Sequence, residues 1–540
     1  MKRTQGPAMK LDYVSPLPPV RSGIADYSLD LLPDLAALAD VRLIHLPGQA
    51  VDPAIAARWP MAPASATGAG GRLPLYQMGN NRYHIEVLDL AMRLPGVLTL
   101  HDVVLHHLLL DLTLGRNEPS GFWDYKARLT RDHGWMGEAA ALAKRWNAWG
   151  DAPIFALPAH RALLRRQRGV LVHSEWAAAF LAEEEIGVPV RAVPMGIPLP
   201  PAADEGAGRA LRRRFGLPPD RPVLGSFGFQ TPIKRTVSAV RALAAPGLEE
   251  VHLLIVGEAA PVMDLEGEAR RAGVADRVHV TGFVSFADFE AAIAAVDLCL
   301  NLRYPTAGET SASLLRVLAA GRPAIVSDFA QFADLPAEIA LRVPLGDEEP
   351  AALAALLRQL LADPGRLRAM GRAAREHVRT RHDPAQAATA VIAACRDWKD
   401  LPPPGDDPLG APALPPPTSL AWGRLPGELE VEGADLPWPE GERRRLSLRL
   451  RNTGFARWLA GERGPGGVAV VVKLFVDGGA DLLEGRPWLA LPHDLAPGEE
   501  VRFETDVRRP PGPAHLWIEP HLFGGLGLSK LGGPRWERRI

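Results

Sequence analysis

The sequence predicts an α/β protein with two facing, doubly wound domains, followed by a C-terminal all-β sandwich. Three observations predict this. Short apolar runs alternate with helical patterns from residue 10 to residue 398, as βαβ units and parallel sheets require. A Pro/Ala/Gly-rich stretch at 194–208 interrupts the alternation, which then restarts and so falls into two halves. After LPPPGDDPLGAPALPPP at 401–417 helical spacing disappears, and alternating strands with Gly/Pro turns take over. The expected domains are residues 1–200, 201–383 and 419–540, with 401–418 a stiff linker and helix 384–398 crossing back onto the first sheet.

In chain order, strand 10–14 runs into SPLPPVRSGIADYS, where Pro and Gly make a loop before helix 24–38. Strands 41–46, 73–78 and 96–100 follow, with helix 83–94 before the last, which ends at His101-Asp102. A long stretch containing Trp123, Trp135, Trp146 and Trp149 then reads as helices added on one side. Strand 169–172, helix 175–185 and strand 190–193 complete the first half. The second half reads as strand 223–227, helix 235–244, strand 251–256, helix 263–272, strand 278–280, helix 286–296 and strand 298–302. A loop with Pro305 and Gly308, Glu309-Thr310-Ser311, a helix closed by Gly321 and a strand from Ala324 come next. The last region offers strands at 443–451, 468–475, 501–507 and 515–518. Leu446, Leu448 and Leu450 share one face of the first of these.

Lys and Arg total 61 against 63 Asp and Glu, with no sizeable single-sign block, so nothing points to a nucleic-acid partner. The two cysteines, Cys299 and Cys395, lie far apart in apolar patterns, which fits a reducing compartment without disulfides or zinc spacing. The N-terminus lacks an apolar signal core, and the apolar stretch at 97–114 is broken by His101, Asp102, His106, His107 and Asp111. A cytoplasmic protein is expected, peripheral to the inner membrane face if the Arg161, Arg165, Arg166, Arg168 cluster touches anionic lipid. A solvated helix face is the alternative for that cluster.

Candidate site residues sit where strands of an open parallel sheet end, since ligands bind outside their carboxyl edge. The 301–328 stretch supplies a strand-to-helix turn whose free N–H groups suit an anion. Thr310 and Ser311 add hydroxyls, and Gly308 permits close approach. Glu309 would repel phosphate, so it suits sugar or ribose hydroxyls; it also reads as an ordinary first-turn acid. Lys234, in GFQTPIKR after strand 223–227, suits a diphosphate leaving group, or is a solvated loop lysine. Arg235 shares that role or faces solvent. His101 can hydrogen-bond a phosphate or a hydroxyl at a reacting centre, while His106 and His107 read as structural. The first βα turn lacks G-x-G-x-x-G, which argues against a nicotinamide dehydrogenase, yet Ser22-Gly23-Ile24 still offers a flexible turn and a helix start. No metal or nucleophile constellation appears, and NTGFARW at 452–458 reads as turn and core of the sandwich.

Together VSPLPPVRSGIADYS, LTLHD, VLVHSEW, VPMGI, GSFGFQTPIKR, LLIVG, VHVTGF and AGETSASLLRVLAAGRPAIVSD resemble family 4 of the retaining, nucleotide-sugar-dependent glycosyltransferases. They occur in that family's order and cover about residues 10–398. The resemblance implies glycosyltransferase fold B with two Rossmann-like domains, no bound metal, and retention of the sugar's anomeric configuration. It places Gly23 near the donor diphosphate, His101 by the transferred sugar and Lys234 on the diphosphate. Glu309 would meet the sugar or ribose, the Thr310-Ser311 amides the phosphate, and backbone around Gly282-Phe283 the base. Three departures stand out. The family's usual arginine five residues before the lysine is Phe229, the second of its paired acids is Arg316, and Glu309 sits one residue closer to Gly321 than usual. The terminal sandwich is similar to immunoglobulin-like modules.

The expected activity is transfer of a hexose from a nucleoside diphosphate sugar to an acceptor hydroxyl on a glycan or lipid-linked acceptor. The nucleotide sugar is substrate, and no cofactor is expected. The departing diphosphate takes the acceptor's proton on the same face, so the protein positions the reactants and stabilises leaving-group charge. The rival readings are a catalytically silent sugar-binding scaffold and a nucleotide-sugar epimerase of the same fold.

Overall fold

In the computed structural model the described residues are 9–116, 120–145, 150–200, 205–405, 418–419, 425–454, 456–461, 467–476, 488–522, 526–531 and 533–540. Trp146, Trp149, most of the 401–418 linker and part of the 194–208 and 452–458 stretches lie outside them. The chain divides into two compact units. One holds residues 1–148, 158–343 and 347–409; the other holds 410–540 with the short segments 149–157 and 344–346.

The first unit contains both expected parallel sheets. Strands β1 (Lys10–Val14), β2 (Asp40–His45), β3 (Met61–Pro63), β4 (Leu73–Met78), β5 (Val97–Leu100), β6 (Gly169–Val172) and β7 (Val190–Ala192) form a sheet ordered 3-2-1-4-5-6-7. Strands β8 (Val223–Phe227), β9 (His252–Val256), β10 (Val278–Val280), β11 (Leu298–Asn301), β12 (Ala324–Ser327) and β13 (Ala340–Val343) form another, ordered 10-9-8-11-12-13. Every pairing in both is parallel. Order reverses beside β1 and β8, so the switch points lie at the ends of those strands.

Such strands are apolar without alternation because both faces are covered. In β9, Leu254 and Val256 enter one apolar cluster while Leu253 and Ile255 enter the other. In β12, Ala324 and Val326 divide from Ile325 in the same way. Helix Pro384–Trp398 lies along helix Gly23–Leu38 of the first domain. It is seated there by Trp398, whose ring is 2.1 Å from where a Cβ on Gly169 would stand. A side chain at 169 would therefore unseat the helix.

The stretch between β5 and β6 includes helices His106–Leu112, Gly121–Arg145 and Arg161–Leu164, the second broken at Gly134 (φ 58°). Trp123 and Trp135 are exposed, at 60% and 66%. The arginine cluster turns inward: Arg161, Arg165 and Arg168 donate to the carbonyls of Glu184, Ile186 and Leu401. Among the described residues, no helix is long and apolar enough to cross a membrane.

The C-terminal part of the second unit is built on antiparallel strands. Strands β14 (Gly427–Glu432), β15 (Arg443–Asn452) and β18 (Glu500–Arg508) make one antiparallel sheet. The other comprises β16 (Val468–Val476), β17 (Trp488–Ala490), β19 (Ala514–Leu522), β20 (Leu526–Gly527) and β21 (Trp536–Arg539). Leu446, Leu448 and Leu450 are each 0% exposed on β15, the period-2 face anticipated from sequence.

Candidate active site

A cleft of about 460 Å3 opens between the carboxyl edges of the two parallel sheets, within the first unit. From the β1 side it is lined by Ser22, Gly23 and Asp26, from the end of β5 by His101 and Asp102, and from the second domain by Lys234, Arg303, Glu309, Thr310 and Ser311. Six residues singled out in sequence (Gly23, His101, Lys234, Glu309, Thr310 and Ser311) thus share one hollow.

Lys234 reaches it through the turn after β8. Gly228 has φ +91°, and a Cβ there would stand 2.7 Å from the Lys234 ammonium, so only glycine lets the side chain fold back. Nζ donates to the Phe227 carbonyl. The turn is pinned by Gln230, whose Nε2 donates to Gly228 O at 2.7 Å and whose Oε1 accepts from Thr236 Oγ1 at 2.7 Å. Burial, reinforced by the Arg303 guanidinium, pushes the lysine pKa well below its ordinary value. An arriving anion reverses that penalty, so proton uptake and anion binding are linked here.

Glu309 is held by its own turn. Oε2 accepts from Thr306 Oγ1 at 2.8 Å and from the Ala307 N–H at 3.0 Å, and Oε1 stands 3.1 Å from Arg303 Nη1. Ser311 caps helix Ala312–Ala319 by accepting from the Leu314 N–H, and its own hydroxyl donates to Asn301 Oδ1. The helix therefore presents its N-terminal edge, residues 310–313, to the cleft.

On the opposite wall His101 is 5% exposed. Nε2 donates to Gln77 Oε1 at 2.9 Å, whose Nε2 in turn donates to Thr99 Oγ1. This network assigns the proton to Nε2 and leaves Nδ1, which has no partner, as an acceptor. Burial, with His173 and His84 nearby, holds the imidazole neutral, well below the ordinary histidine pKa. Asp102 accepts the Asn80 N–H at 2.9 Å. Burial, then the Glu309 carboxylate, raises its pKa to about 7. Sequence reasoning named Asp102 only as His101's neighbour; the strand-end argument that selected His101 covers both.

Four expected positions are not in the cleft. Arg235, in the left-handed region (φ 55°), turns away to the fully buried Glu349, with Nε 2.7 Å from Oε2. Gly308 does not admit a ligand: a Cβ there would meet Val103 Cγ2 at 2.3 Å and Trp176 at 2.8 Å, so the first domain already covers it. The Gly282 carbonyl accepts from the Gly257 N–H and from Thr281 Oγ1. The Phe283 ring is exposed beneath the Arg21 guanidinium, 4.2 Å from its centroid. Phe229, Phe286 and Phe289 line the cleft instead, together with Arg316, which pairs with Asp30 of helix Gly23–Leu38. Among the described residues no group of three or more His, Cys, Asp or Glu side chains could hold a metal ion.

Lys234, Arg303 and a helix start on one bank, with His101 Nδ1, Asp102 and Glu309 around them, line one cleft at the switch points of a two-domain α/β protein, chemistry suited to an anionic, hydroxyl-rich ligand. Residues 222–363 match the family model described as glycosyl transferases group 1. The 2-deoxystreptamine glucosyltransferase of Streptomyces kanamyceticus is 29% identical over 228 residues, 40% of this chain and 57% of that protein. The chain thus spans little more than half the length of that curated relative. Among solved structures, the sucrose-phosphate synthase of Thermosynechococcus elongatus aligns over 72% of this chain and 98% of its own, at 18% identity and TM-score 0.51. HepE of Anabaena, solved in complex with UDP, aligns over 72% and 100%, at 15% identity and TM-score 0.50. The family match lies within the second parallel-sheet domain, and the two structures show fold B for this chain.

Proposed function

We propose that the protein is a retaining glycosyltransferase that moves a hexose from a nucleoside diphosphate sugar to an acceptor hydroxyl. The observation that carries this reading is the meeting of Lys234, Arg303 and the 310–313 helix edge with His101 in one cleft. The diphosphate lies against Lys234, Arg303 and the helix start, which stabilise charge as the bond to the sugar breaks. Arg303, rather than Arg235, joins Lys234: its guanidinium is 12% exposed and faces Glu309. His101 Nδ1 and Glu309 Oε1, which also faces Arg303, accept hydroxyls of the transferred sugar. The acceptor approaches from the first domain, past Asp102, and its proton leaves on the diphosphate oxygen of the same face. Loss of water from the cleft limits hydrolysis. No step calls for a metal ion.

The relative's name puts a glucosyl donor and an aminocyclitol acceptor among the first probes, and UDP in the HepE complex makes it the first nucleotide to try. A glycan or lipid-linked acceptor remains the reading drawn from the resemblance, and an immunoglobulin-like role for the C-terminal sheets belongs with it. The test is nucleoside diphosphate release from a panel of nucleotide sugars. Steady release supports transferase chemistry. A silent scaffold releases none, and an epimerase changes the sugar while leaving it joined to the nucleotide.

A further inference from the structure

The turn that carries His101 and Asp102 is held from behind by a residue that sugar transfer itself does not use. His160 is 1% exposed. Its Nδ1 meets the Val103 carbonyl oxygen, and its Nε2 stands 2.6 Å from Glu184 Oε2. A carbonyl and a carboxylate can only accept, so both ring nitrogens carry protons and the side chain is an imidazolium. Burial opposes the charge, but the Glu184 carboxylate and its hydrogen bond, the Val103 carbonyl and Asp132 outweigh it and raise the pKa above the ordinary histidine value.

Val103 follows Asp102 directly, and its grip reaches both sides of the cleft. Its side chain fills the space over Gly308, and the next amide, Val104 N–H, donates to Ala307 O at 3.0 Å. Leu105 N–H donates to Pro158 O at 2.7 Å, which ties the same turn to the segment bearing His160. The carbonyl that His160 holds thus belongs to the turn that bears His101 and Asp102 and that packs on the Glu309 turn.

We propose that the His160 imidazolium is a positioning residue for the cleft. Charged, it holds the 101–104 turn and the seat of Glu309; deprotonated, it gives up one of its two hydrogen bonds and the turn loosens. The inference rests on the sugar-transfer reading, because the turn is placed at the sugar end of the donor.

The groups facing His160 are Glu184, Asp132 and His133 of helix Gly121–Arg145, and its neighbour Arg161, whose Nη1 donates to Glu184 O. Burial lifts Asp132 to about 6, so it is ionised above neutral pH and supports the imidazolium. His133 stays neutral, pushed down by burial and then by His160, and its Nε2 accepts the Ala159 N–H. The sign follows. A raised base is fully charged below its ordinary pKa and loses its proton as pH rises through the raised value, so the effect is an alkaline limb.

The test compares the full-length chain with His160→Gln and Glu184→Gln. Hydrolysis of UDP-, GDP- and ADP-glucose is followed across pH 6–10, UDP, GDP and ADP are titrated by calorimetry, and selective 15N-histidine spectra are recorded. The expected results are a wild-type rate that falls on the alkaline side, a limb moved to lower pH in Glu184→Gln, and a rate at least tenfold lower without that limb in His160→Gln. Diphosphate affinity should stay within twofold throughout, and both His160 nitrogens should read as protonated at pH 7. An unchanged rate or limb in His160→Gln overturns the proposal, as does diphosphate affinity lost in step with rate, or a neutral His160. A wild type that hydrolyses no donor, with His160 still doubly protonated, sinks the sugar-transfer reading and takes the positioning role with it.

Discussion

Lys234 and Arg235 are adjacent in sequence and opposite in role. Lys234 opens on the cleft, so Lys234→Ala should lower donor turnover about a hundredfold, as loss of one preorganised charge partner usually does. Arg235 instead neutralises Glu349, which is 0% exposed. Arg235→Ala should leave diphosphate affinity unchanged while thermal unfolding shows a loss of roughly 3–5 kcal/mol, the usual result of stranding one buried charge. The sequence could not separate them: the partner of Arg235 lies 114 positions further on, and no local pattern announces it. Asp102 makes a pH prediction. Its pKa is raised to about 7, so the folded state holds a proton that the unfolded chain gives up near pH 4. Stability therefore falls as pH rises from 4 to 7 and levels off above. Asp132, raised to about 6, adds a slope of the same sign, so Asp102→Asn should make a plot of Tm against pH shallower; an unchanged slope would assign it to other groups.

At the scale of elements, the turns after β8 and β11 bring the anion site together, and both depend on backbone that tolerates no side chain. Gly228→Ala combines φ +91° with a Cβ 2.7 Å from the Lys234 ammonium. It should weaken diphosphate binding in calorimetry and add strain of about 1–3 kcal/mol, while the fold persists. The parallel strands were legible because each is a continuous apolar run buried on both faces. The edge strands β3 and β13 were not, being three and four residues long with no distinguishing pattern. Gly308 was legible as a glycine that had to be one, but not for its reason, since the atoms covering it belong to Val103 and Trp176 in the other domain. Long-range partners of this kind leave no trace in local spacing. Trp398 is the largest of the side chains that helix Pro384–Trp398 buries: Trp398→Ala should cost about 3–5 kcal/mol, read as a lower Tm, because the side chain is 5% exposed.

At the scale of the whole molecule, two doubly wound domains place opposite chemistry on opposite banks. The second domain supplies Lys234, Arg303 and a helix start, and the first supplies neutral His101 and Asp102. Links cross between them: Arg316 with Asp30, Arg21 over Phe283, and Val104 N–H to Ala307 O. Arg316, where the resembling family has its second acid, joins the banks rather than offering an acceptor to the ligand. The motifs identified the banks from sequence alone, because each ends a buried strand. That Phe286 and Phe289 line the cleft was not legible, since aromatic residues in helix 286–296 read equally well as core. The most direct measurement is calorimetric titration of UDP, GDP and ADP into the wild type and Lys234→Ala. The account predicts that at least one diphosphate binds the wild type and that its affinity falls tenfold or more in Lys234→Ala. Binding equally tight in both, or none in the wild type, would contradict it.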